Sequence, residues 1–361
     1  MAPIKVSILG VGLSLQVFHY PMIEYLPELY TLHSVYERSG KETAKAIVGD
    51  VKIVTTFEEV VEDKEVELVI VSTPNNTHFD FAKRAIEAGK HVMIEKPVCP
   101  TAAEVAELNE LAIKHHVILG AYQNRRWDSD FMAVQQLIAS GRLGKLNEFQ
   151  SSFDRHRPLP PSYKTSTWKE TPGMHNEGIY NLGSHLIDQA LVLFGLPDRV
   201  GCRTWDMRGV GLDEAFVLDL YYPKEPLVVT LRASMLSTFP ADKQSRYLIK
   251  GDKGTYAKNG TDAQEGYLRG TGKKVGGPDY GYEDTSLVGQ LTESVDGKYV
   301  VSDYPSMRGN YPAIYENLHE AITSGDRSKL LVQPEQVIWT AKIIELGLRA
   351  SKEGKVLSVE R

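Results

Sequence analysis

Apolar and polar positions follow two different patterns along the chain. Up to residue 124, short apolar runs predict strands at residues 5–9, 32–36, 51–54, 68–72, 92–95 and 117–122. The stretches between them have helical periodicity and predict helices at residues 15–25, 40–47, 57–62, 78–88 and 101–115. Strands that alternate with helices form a parallel sheet with right-handed crossovers, so residues 1–124 are predicted to be one α/β domain.

Beyond residue 124 the strands follow one another directly. The pattern predicts helices at residues 130–140 and 178–194, and strands at residues 147–153, 199–205, 215–222, 227–235 and 247–251. Successive strands favour an antiparallel sheet, so residues 125–361 are predicted to be an α+β domain. Residues 257–310 have weak periodicity, and we expect a long, partly mobile excursion there. Helices at residues 316–324 and 335–351 close the chain, and we expect the last one to pack back on the first domain.

A glycine turn follows the first predicted strand. Gly10 permits a tight turn, and Gly12 lets the backbone approach a pyrophosphate at the start of a helix, where Leu13 and Ser14 would also contact it. The third glycine of the usual fingerprint is Leu15 here, and a Gly-x-Gly pair can simply form a turn. The position of this pair at the first strand of a βαβ unit favours dinucleotide binding.

The end of the second predicted strand bears on which dinucleotide is bound. Glu37 lies where a carboxylate can accept hydrogen bonds from the adenosine ribose of NAD. Arg38, with Ser39 and Lys41 nearby, can instead bind the 2′-phosphate of NADP. Taken alone, Glu37 or Arg38 is equally well explained as part of a solvated charge pair after the strand. We favour NADP and keep NAD as the alternative.

Polar residues also follow the fourth and fifth predicted strands. Thr73, Pro74 and Asn75 are expected to line the nicotinamide-ribose pocket, and His78 either caps its helix or contacts the cofactor. Lys96 follows Glu95 at the carboxyl end of the fifth strand, where an open α/β sheet binds its ligands. An amine that is partly desolvated there can have its pKa lowered enough to act in proton transfer. Lys96 therefore makes this dinucleotide-binding domain a candidate dehydrogenase.

The predicted helix at residues 178–194 carries polar groups on an otherwise apolar segment. Helical spacing places Asn181, His185 and Asp188 on one face. A lone helical histidine is usually structural, but this setting favours the wall of a pocket. No His/Cys spacing supports metal binding, and one helix seldom supplies a complete metal site, so no metal is expected.

Composition excludes several other classes of protein. The chain has 361 residues, 42% of them hydrophobic, with a net charge of −6. Its sequence pI of about 6.0 gives no indication of a nucleic-acid or membrane partner. The first predicted strand begins so early that no signal peptide is expected. Cys99 and Cys202 are the only cysteines and are far apart, which favours a reducing cytoplasm.

Taken in order along the chain, these motifs resemble the glucose–fructose oxidoreductase/inositol dehydrogenase (Gfo/Idh/MocA) family. The resemblance covers essentially the whole chain and is nearest to the scyllo-inositol dehydrogenase-like branch. It is carried by the glycine turn, Glu95-Lys96-Pro97, Phe18-His19-Tyr20-Pro21, Arg126-Trp127-Asp128-Ser129-Asp130-Phe131, Phe153-Asp154-Arg155-His156-Arg157-Pro158 and His185-Leu186-Ile187-Asp188-Gln189.

The resemblance implies a Rossmann domain and an open, mostly antiparallel sheet, with nicotinamide at the cleft between them. Members oxidise a secondary alcohol of a sugar or cyclitol, or run the reverse reaction, and form homodimers or homotetramers through the open sheet face. Lys96 and His185 would be the proton-handling pair, and the Lys96–Pro97 peptide would be cis. The motif positions further imply cofactor binding by Asn124 and substrate binding by Arg126, Trp127, Asp154, Arg155 and Tyr180.

One position departs from the family pattern. The family usually has aspartate four residues before the histidine, where this chain has Asn181. An amide can hydrogen-bond a substrate hydroxyl, but it lacks the charge that would stabilise a protonated Lys96 or His185. A non-catalytic NAD(P)-binding sensor is therefore one alternative, although related repressors lose the lysine that this chain keeps. A dihydrodiol or imine oxidoreductase is another. We predict an NADP-preferring sugar, cyclitol or polyol dehydrogenase.

Overall fold

The computed structural model describes residues 2–158, 171–223 and 225–361. The chain divides into two compact units. The first comprises Met1–Asn124, Gln264–Tyr280 and Asn310–Ile338, and the second comprises Arg125–Ala263, Gly281–Gly309 and Trp339–Arg361. Residues 264–280 and 310–338, which the sequence pattern assigns to the second domain, thus group with the first unit.

Over the described residues, the sheet of the first unit has six strands. They are β1 Ile4–Leu9, β2 Tyr30–Tyr36, β3 Lys52–Val54, β4 Leu68–Val71, β5 His91–Ile94 and β6 Leu119–Ala121. The order is β3-β2-β1-β4-β5-β6 and each neighbouring pair is parallel. All four side chains of β4 are buried, as expected of a strand covered on both faces. This is the predicted Rossmann sheet, and the fold class is confirmed.

Most helices begin and end within a few residues of their predicted bounds. The α-helices are α1 Tyr20–Tyr25, α2 Lys45–Val48, α3 Glu58–Val61, α4 His78–Glu87, α5 Ala102–Lys114, α6 Ser129–Ala139, α7 Ser184–Phe194, α8 Ala263–Leu268, α9 Pro312–Ser324 and α10 Pro334–Glu353. π-helical turns precede α1 at Leu15–His19 and α7 at Ile179–Gly183. A capping box begins α5, because Thr101 and Glu104 each accept the other's backbone N–H. Among the described helices, none is both long enough and apolar enough to cross a membrane.

The predicted helix at residues 40–47 is wrong at its start. Only Lys45–Val48 is α-helical. The carboxylate of Glu37 accepts hydrogen bonds from the Ser39 hydroxyl and the Ala44 backbone N–H, at 2.8 and 3.0 Å. These bonds hold the chain after β2 as a loop, and they outweigh the helical periodicity of the sequence.

The second unit contains a nine-stranded sheet within the described part of the chain. Its strands are β7 Leu146–Ser152, β8 Arg199–Trp205, β9 Ala215–Tyr222, β10 Leu227–Ala233, β11 Ser245–Gly251, β12 Gly254–Asn259, β13 Gly289–Val295, β14 Lys298–Tyr304 and β15 Leu357–Ser358. The order is β14-β13-β12-β11-β7-β10-β9-β8-β15, and only β7 with β10 is a parallel pair in this part. Leu186, Ile187 and Ala190 of α7 belong to the same buried cluster as the inward-facing strand residues. The sheet is mostly antiparallel, as predicted.

The long excursion predicted over residues 257–310 contains more regular structure than its weak periodicity indicates. This stretch holds the end of β12, helix α8 and the hairpin formed by β13 and β14. β14 is an edge strand, and its first four residues are exposed. An edge strand with exposed side chains has no alternation of buried and exposed positions, so its sequence lacks the period-two signal of a strand.

Candidate active site

The cofactor-binding candidates of the first unit lie at one edge of its sheet. The glycine turn follows β1, Glu37 follows β2, Thr73 follows β4 and Lys96 follows β5. Because parallel strands end at the same edge, these residues belong to the carboxyl edge of the sheet. The strand order reverses direction between β1 and β4, and this switch point is where open α/β sheets bind their ligands. Asn124 follows β6 at the same edge and is buried.

The two glycines of the turn are required for different reasons. Gly10 has φ +106°, and a Cβ there would lie 2.5 Å from the Ser72 carbonyl oxygen. Gly12 is exposed, and a Cβ there would meet nothing within 4 Å. Gly10 therefore lets β1 pass close to the end of β4, whereas Gly12 leaves its backbone open to a ligand. Leu13 and Ser14 follow half-buried, at the start of the π-helical turn. A dinucleotide pyrophosphate fits this arrangement.

Glu37 is buried and turned into its own loop. Burial alone would raise the pKa of its carboxyl, but hydrogen bonds from Ala44, Ser39 and Thr43 outweigh burial and lower that pKa to about 2. The carboxylate is thus ionised, and its hydrogen bonds stabilise the loop that follows β2. Arg38, Ser39 and Lys41 are exposed on that loop.

His78 is not a helix cap. Its imidazole is fully buried, with Nδ1 2.9 Å from the Pro97 carbonyl oxygen and Nε2 2.9 Å from the Thr73 carbonyl oxygen. The ring therefore ties the turn after β5 to the turn after β4. A neutral imidazole has one N–H, so the ring donates to one of these carbonyls and its other nitrogen lies in contact with the second. His78 therefore acts on the pocket through the backbone of Thr73 and Pro97. Asn75 is buried beside it in a short 3-10 turn, and Pro74 is half-buried.

Burial makes His78 a source of pH-dependent stability. Burial lowers its pKa in the folded protein more than the two carbonyls raise it. Between that lowered pKa and about 6.5, the unfolded chain binds a proton that the folded protein does not. We therefore expect stability to be complete above about pH 6.5 and to fall as the pH drops below it. Urea unfolding between pH 7.5 and 5.5 measures this, and His78→Gln should flatten the dependence by at most about 1.4 kcal/mol per pH unit.

The exposed His156 provides a matched control for that measurement. His156→Gln should keep the pH dependence of the wild-type protein. Equal slopes for wild type and His78→Gln would show that His78 is not the group responsible.

Lys96 lies in a turn held by its neighbour. The Lys96–Pro97 peptide bond is cis, as the resemblance implies. Glu95 is buried, and its Oε2 accepts the backbone N–H of Lys96 at 3.0 Å. The lysine side chain is half-buried.

In the second unit, three candidate residues lie in α7 or in the π-helical turn before it. His185 and Asp188 are almost fully buried, and Asn181 lies half-buried in the preceding π-helical turn. Asp188 accepts two hydrogen bonds from the Arg126 guanidinium, at 2.8 and 2.7 Å. A bidentate pair of this kind fixes both planar groups. Arg126, which the resemblance implies as a substrate ligand, is therefore bound to the helix that carries His185.

The remaining substrate candidates are placed as follows. Tyr180 is buried, with its ring edge-on to His175 at a centroid distance of 5.3 Å. Asp154 lies 3.7 Å from Arg232, and burial raises the pKa of its carboxyl. Arg155 donates its backbone N–H to the Ser234 carbonyl, and Trp127 is half-buried.

The sequence gives no functional role to two buried polar residues that the structure singles out. Arg246 is completely buried and bonds to Asp130, Ser151 and the Gln189 side chain of α7, at 3.0, 2.8 and 3.1 Å. His19 is completely buried in the π-helical turn after the glycine loop. His19 lies in a stretch that carries the family resemblance, but neither residue has a spacing motif that would predict its partners. Among the described residues, no group of His, Cys, Asp or Glu is arranged to hold a metal ion.

A six-stranded parallel sheet with a glycine turn after β1 and a lysine after β5 defines a class, the α/β dinucleotide-binding proteins. Residues 4–123 match the family model described as oxidoreductase family, NAD-binding Rossmann fold. Residues 131–257 match the model of the GFO/IDH/MocA C-terminal domain. The chain belongs to the Gfo/Idh/MocA family of oxidoreductases.

Individual relatives match over nearly the whole chain. The scyllo-inositol 2-dehydrogenase (NADP(+)) IolW of Bacillus subtilis (strain 168) is 36% identical over 99% of this chain and 96% of its own. An uncharacterised oxidoreductase of Schizosaccharomyces pombe is 35% identical over 98% of both chains. Among solved structures, YvaA from Bacillus subtilis has a TM-score of 0.89 and 34% identity, with 99% of both chains covered.

Proposed function

We propose that this protein is an NADP-preferring dehydrogenase that acts on a secondary alcohol of a cyclitol, sugar or related polyol, or on the corresponding ketone. The observation that carries the proposal is Lys96 at the carboxyl end of β5, beside the switch point of a dinucleotide-binding sheet. The likeness to a scyllo-inositol 2-dehydrogenase supports a cyclitol as the substrate.

Each residue then has a separate task in the oxidation. NADP, when bound, supplies the hydride acceptor. The neutral amine of Lys96 takes the proton of the substrate hydroxyl as the carbinol C–H bond breaks, so the alcohol becomes a ketone and Lys96 an ammonium. His185 then relays that proton towards solvent, and Asn181 orients the substrate by hydrogen bonding. Tyr180, Trp127, Asp154 and Arg155 are proposed to line the substrate pocket, and Arg126 to hold Asp188 in place.

The preference for NADP rests on the loop after β2. Because the Glu37 carboxylate is bonded to Ser39 and Ala44, it is turned to its own loop and does not face a 2′-phosphate as an acceptor. Arg38 is exposed on the same loop, and its positively charged guanidinium can donate hydrogen bonds to the negatively charged 2′-phosphate.

We expect Arg38→Ala to weaken NADP selectively. A charge-assisted hydrogen bond is worth about 1.5–3 kcal/mol, so the KM for NADP should rise about 10- to 100-fold while the KM for NAD changes little. Steady-state kinetics with both cofactors measure the two values. Arg84→Ala, at an exposed arginine of the same unit, should change neither. An equal loss for both cofactors would assign Arg38 a structural role instead.

A substrate panel tests the proposed function. Purified protein with NADP⁺ is offered scyllo-inositol, other cyclitols, sugars and an aromatic dihydrodiol, and with NADPH it is offered the corresponding ketones and a cyclic imine. Turnover of cyclitols or sugars supports the proposal, whereas turnover of only the dihydrodiol or imine would replace it. Tight NADP binding without turnover would favour the sensor, whose motivating observation is Asn181 in place of aspartate.

Two further proposals concern the setting of the enzyme. Cys99 and Cys202 are free thiols, which suits a reducing cytoplasm. Assembly as a homodimer or homotetramer is tested by light scattering on the purified chain.

A further inference from the structure

His19 is a buried histidine of the first unit with polar partners on both ring nitrogens. It lies in the π-helical turn that follows the glycine loop, and its side chain is completely buried. Its Nδ1 is 2.7 Å from the hydroxyl of Tyr315 on α9. Its Nε2 lies 3.3 Å from Oε1 of Glu95, within ion-pair distance but without hydrogen-bond geometry, and it has no hydrogen-bond partner among the described residues. The ring also packs against Tyr122, at a centroid distance of 4.8 Å.

The Tyr315 contact decides which ring nitrogen carries the proton. Burial raises the pKa of the Tyr315 phenol well above its ordinary value, so the phenol keeps its proton and can donate it to Nδ1. A neutral imidazole that accepts at Nδ1 carries its hydrogen on Nε2. The N–H of His19 is therefore on the nitrogen that lies 3.3 Å from the Glu95 carboxylate.

Glu95 joins His19 to Lys96. Its Oε1 faces His19 and its Oε2 accepts the backbone N–H of Lys96 at 3.0 Å. Burial would raise the pKa of the Glu95 carboxyl, but its interaction with His19 and the charge of Lys96 hold that pKa below its ordinary value. The buried carboxylate is thus ionised next to the lysine. His78 of α4 and Tyr315 of α9 also feel its charge.

We propose that His19 is a positioning residue for Lys96: its Nε2 side lies against the Glu95 carboxylate and fixes where that carboxylate sits, and the carboxylate in turn stabilises the Lys96 ammonium. The catalytic consequence rests on the proposed function, because it requires Lys96 to be the acid/base of that reaction. The charge coupling itself does not depend on any substrate. Since His19 ends the π-helical turn that follows the glycine loop, that loop and Lys96 are linked through the side chains of His19 and Glu95.

Three substitutions separate this role from packing. His19→Leu fills much of the ring's space but has no donor, so Glu95 should lose its negative charge and the Lys96 amine should titrate at lower pH, by about one pH unit. His19→Gln can place an amide N–H near the position of Nε2 and should restore the midpoint. Glu95→Gln removes the charge directly, keeps nearly the same shape, and should give the same fall as His19→Leu.

The measurement is an NMR titration of the full-length protein labelled with ¹³Cε-lysine, with the Lys96 signal assigned by its loss in Lys96→Met. It needs no substrate, so it remains decisive even if the substrate panel shows no turnover. A lower Lys96 midpoint in His19→Leu and Glu95→Gln, with recovery in His19→Gln, supports the proposal. An unchanged midpoint in Glu95→Gln, or His19→Gln behaving like His19→Leu, would overturn it. If His19→Leu fails to fold, Glu95→Gln and His19→Gln still decide between these outcomes.

Discussion

Lys96→Met should lower kcat by about 10²- to 10⁴-fold and leave NADP binding intact. A positioned general acid/base contributes rate accelerations of that size, and methionine cannot take up the hydroxyl proton. The methionine side chain nearly matches the length of lysine, and the backbone N–H at position 96 still donates to Glu95. Turnover is measured with the substrate that the panel identifies, and NADPH binding is measured separately by fluorescence.

Lys90 provides a matched control at the opposite end of β5. Its ammonium is bound by the backbone carbonyls of Asp63 and Val66, at 2.8 and 2.9 Å, away from the carboxyl edge of the sheet. Lys90→Met should therefore cost stability and leave kcat near the wild-type value. If both methionine variants lose kcat to the same extent, the loss comes from disturbing β5 and the assignment of Lys96 is wrong.

Arg246→Leu should destabilise the protein by about 3–5 kcal/mol. Removing one partner of a buried ion pair leaves an uncompensated charge, here that of Asp130, and this penalty is of that size. The guanidinium also lies over the rings of Phe153 and Tyr247, at 4.3 and 4.2 Å, so its packing is lost as well. Because Arg246 holds Gln189 of the helix that carries His185, kcat should fall in the fraction that still folds.

Urea unfolding measures the loss of stability in Arg246→Leu, and an arginine–glutamate pair at the surface provides the control. Arg269 bonds to Glu265 one helical turn away, with both groups partly exposed to solvent. Arg269→Leu should change stability by only about 0.3–0.5 kcal/mol. Similar unfolding midpoints for the two variants would mean that the buried arginine network does not hold the second unit together.

The first sheet could be predicted from the sequence because a parallel strand covered on both faces must be apolar throughout. Residues 68–71 are all buried, and they form an unbroken apolar run in the sequence. The hairpin of β13 and β14 could not be predicted this way, because an exposed edge strand carries no such pattern. The start of α2 was missed because a tertiary contact, the Glu37 carboxylate on the Ala44 N–H, outweighs local periodicity.

The candidate site likewise contains residues that the sequence could locate and contacts that it could not. Lys96 and the glycine turn could be located because their spacing from the strands fixes them at one sheet edge. The partners of His78 could not, since both are backbone carbonyls that leave no mark in the sequence. His19 meets Tyr315 across 296 positions of chain, a separation over which no periodicity carries information.

The most direct test of the central claim follows a label from substrate to cofactor. scyllo-Inositol deuterated at its carbinol carbons is incubated with NADP⁺ and the purified protein, and the reduced cofactor is examined by mass spectrometry and NMR. The account predicts deuterium at C4 of the nicotinamide with the wild-type protein and no labelled cofactor with Lys96→Met. Reduced cofactor that lacks the label, or labelled cofactor formed equally well by Lys96→Met, would contradict it.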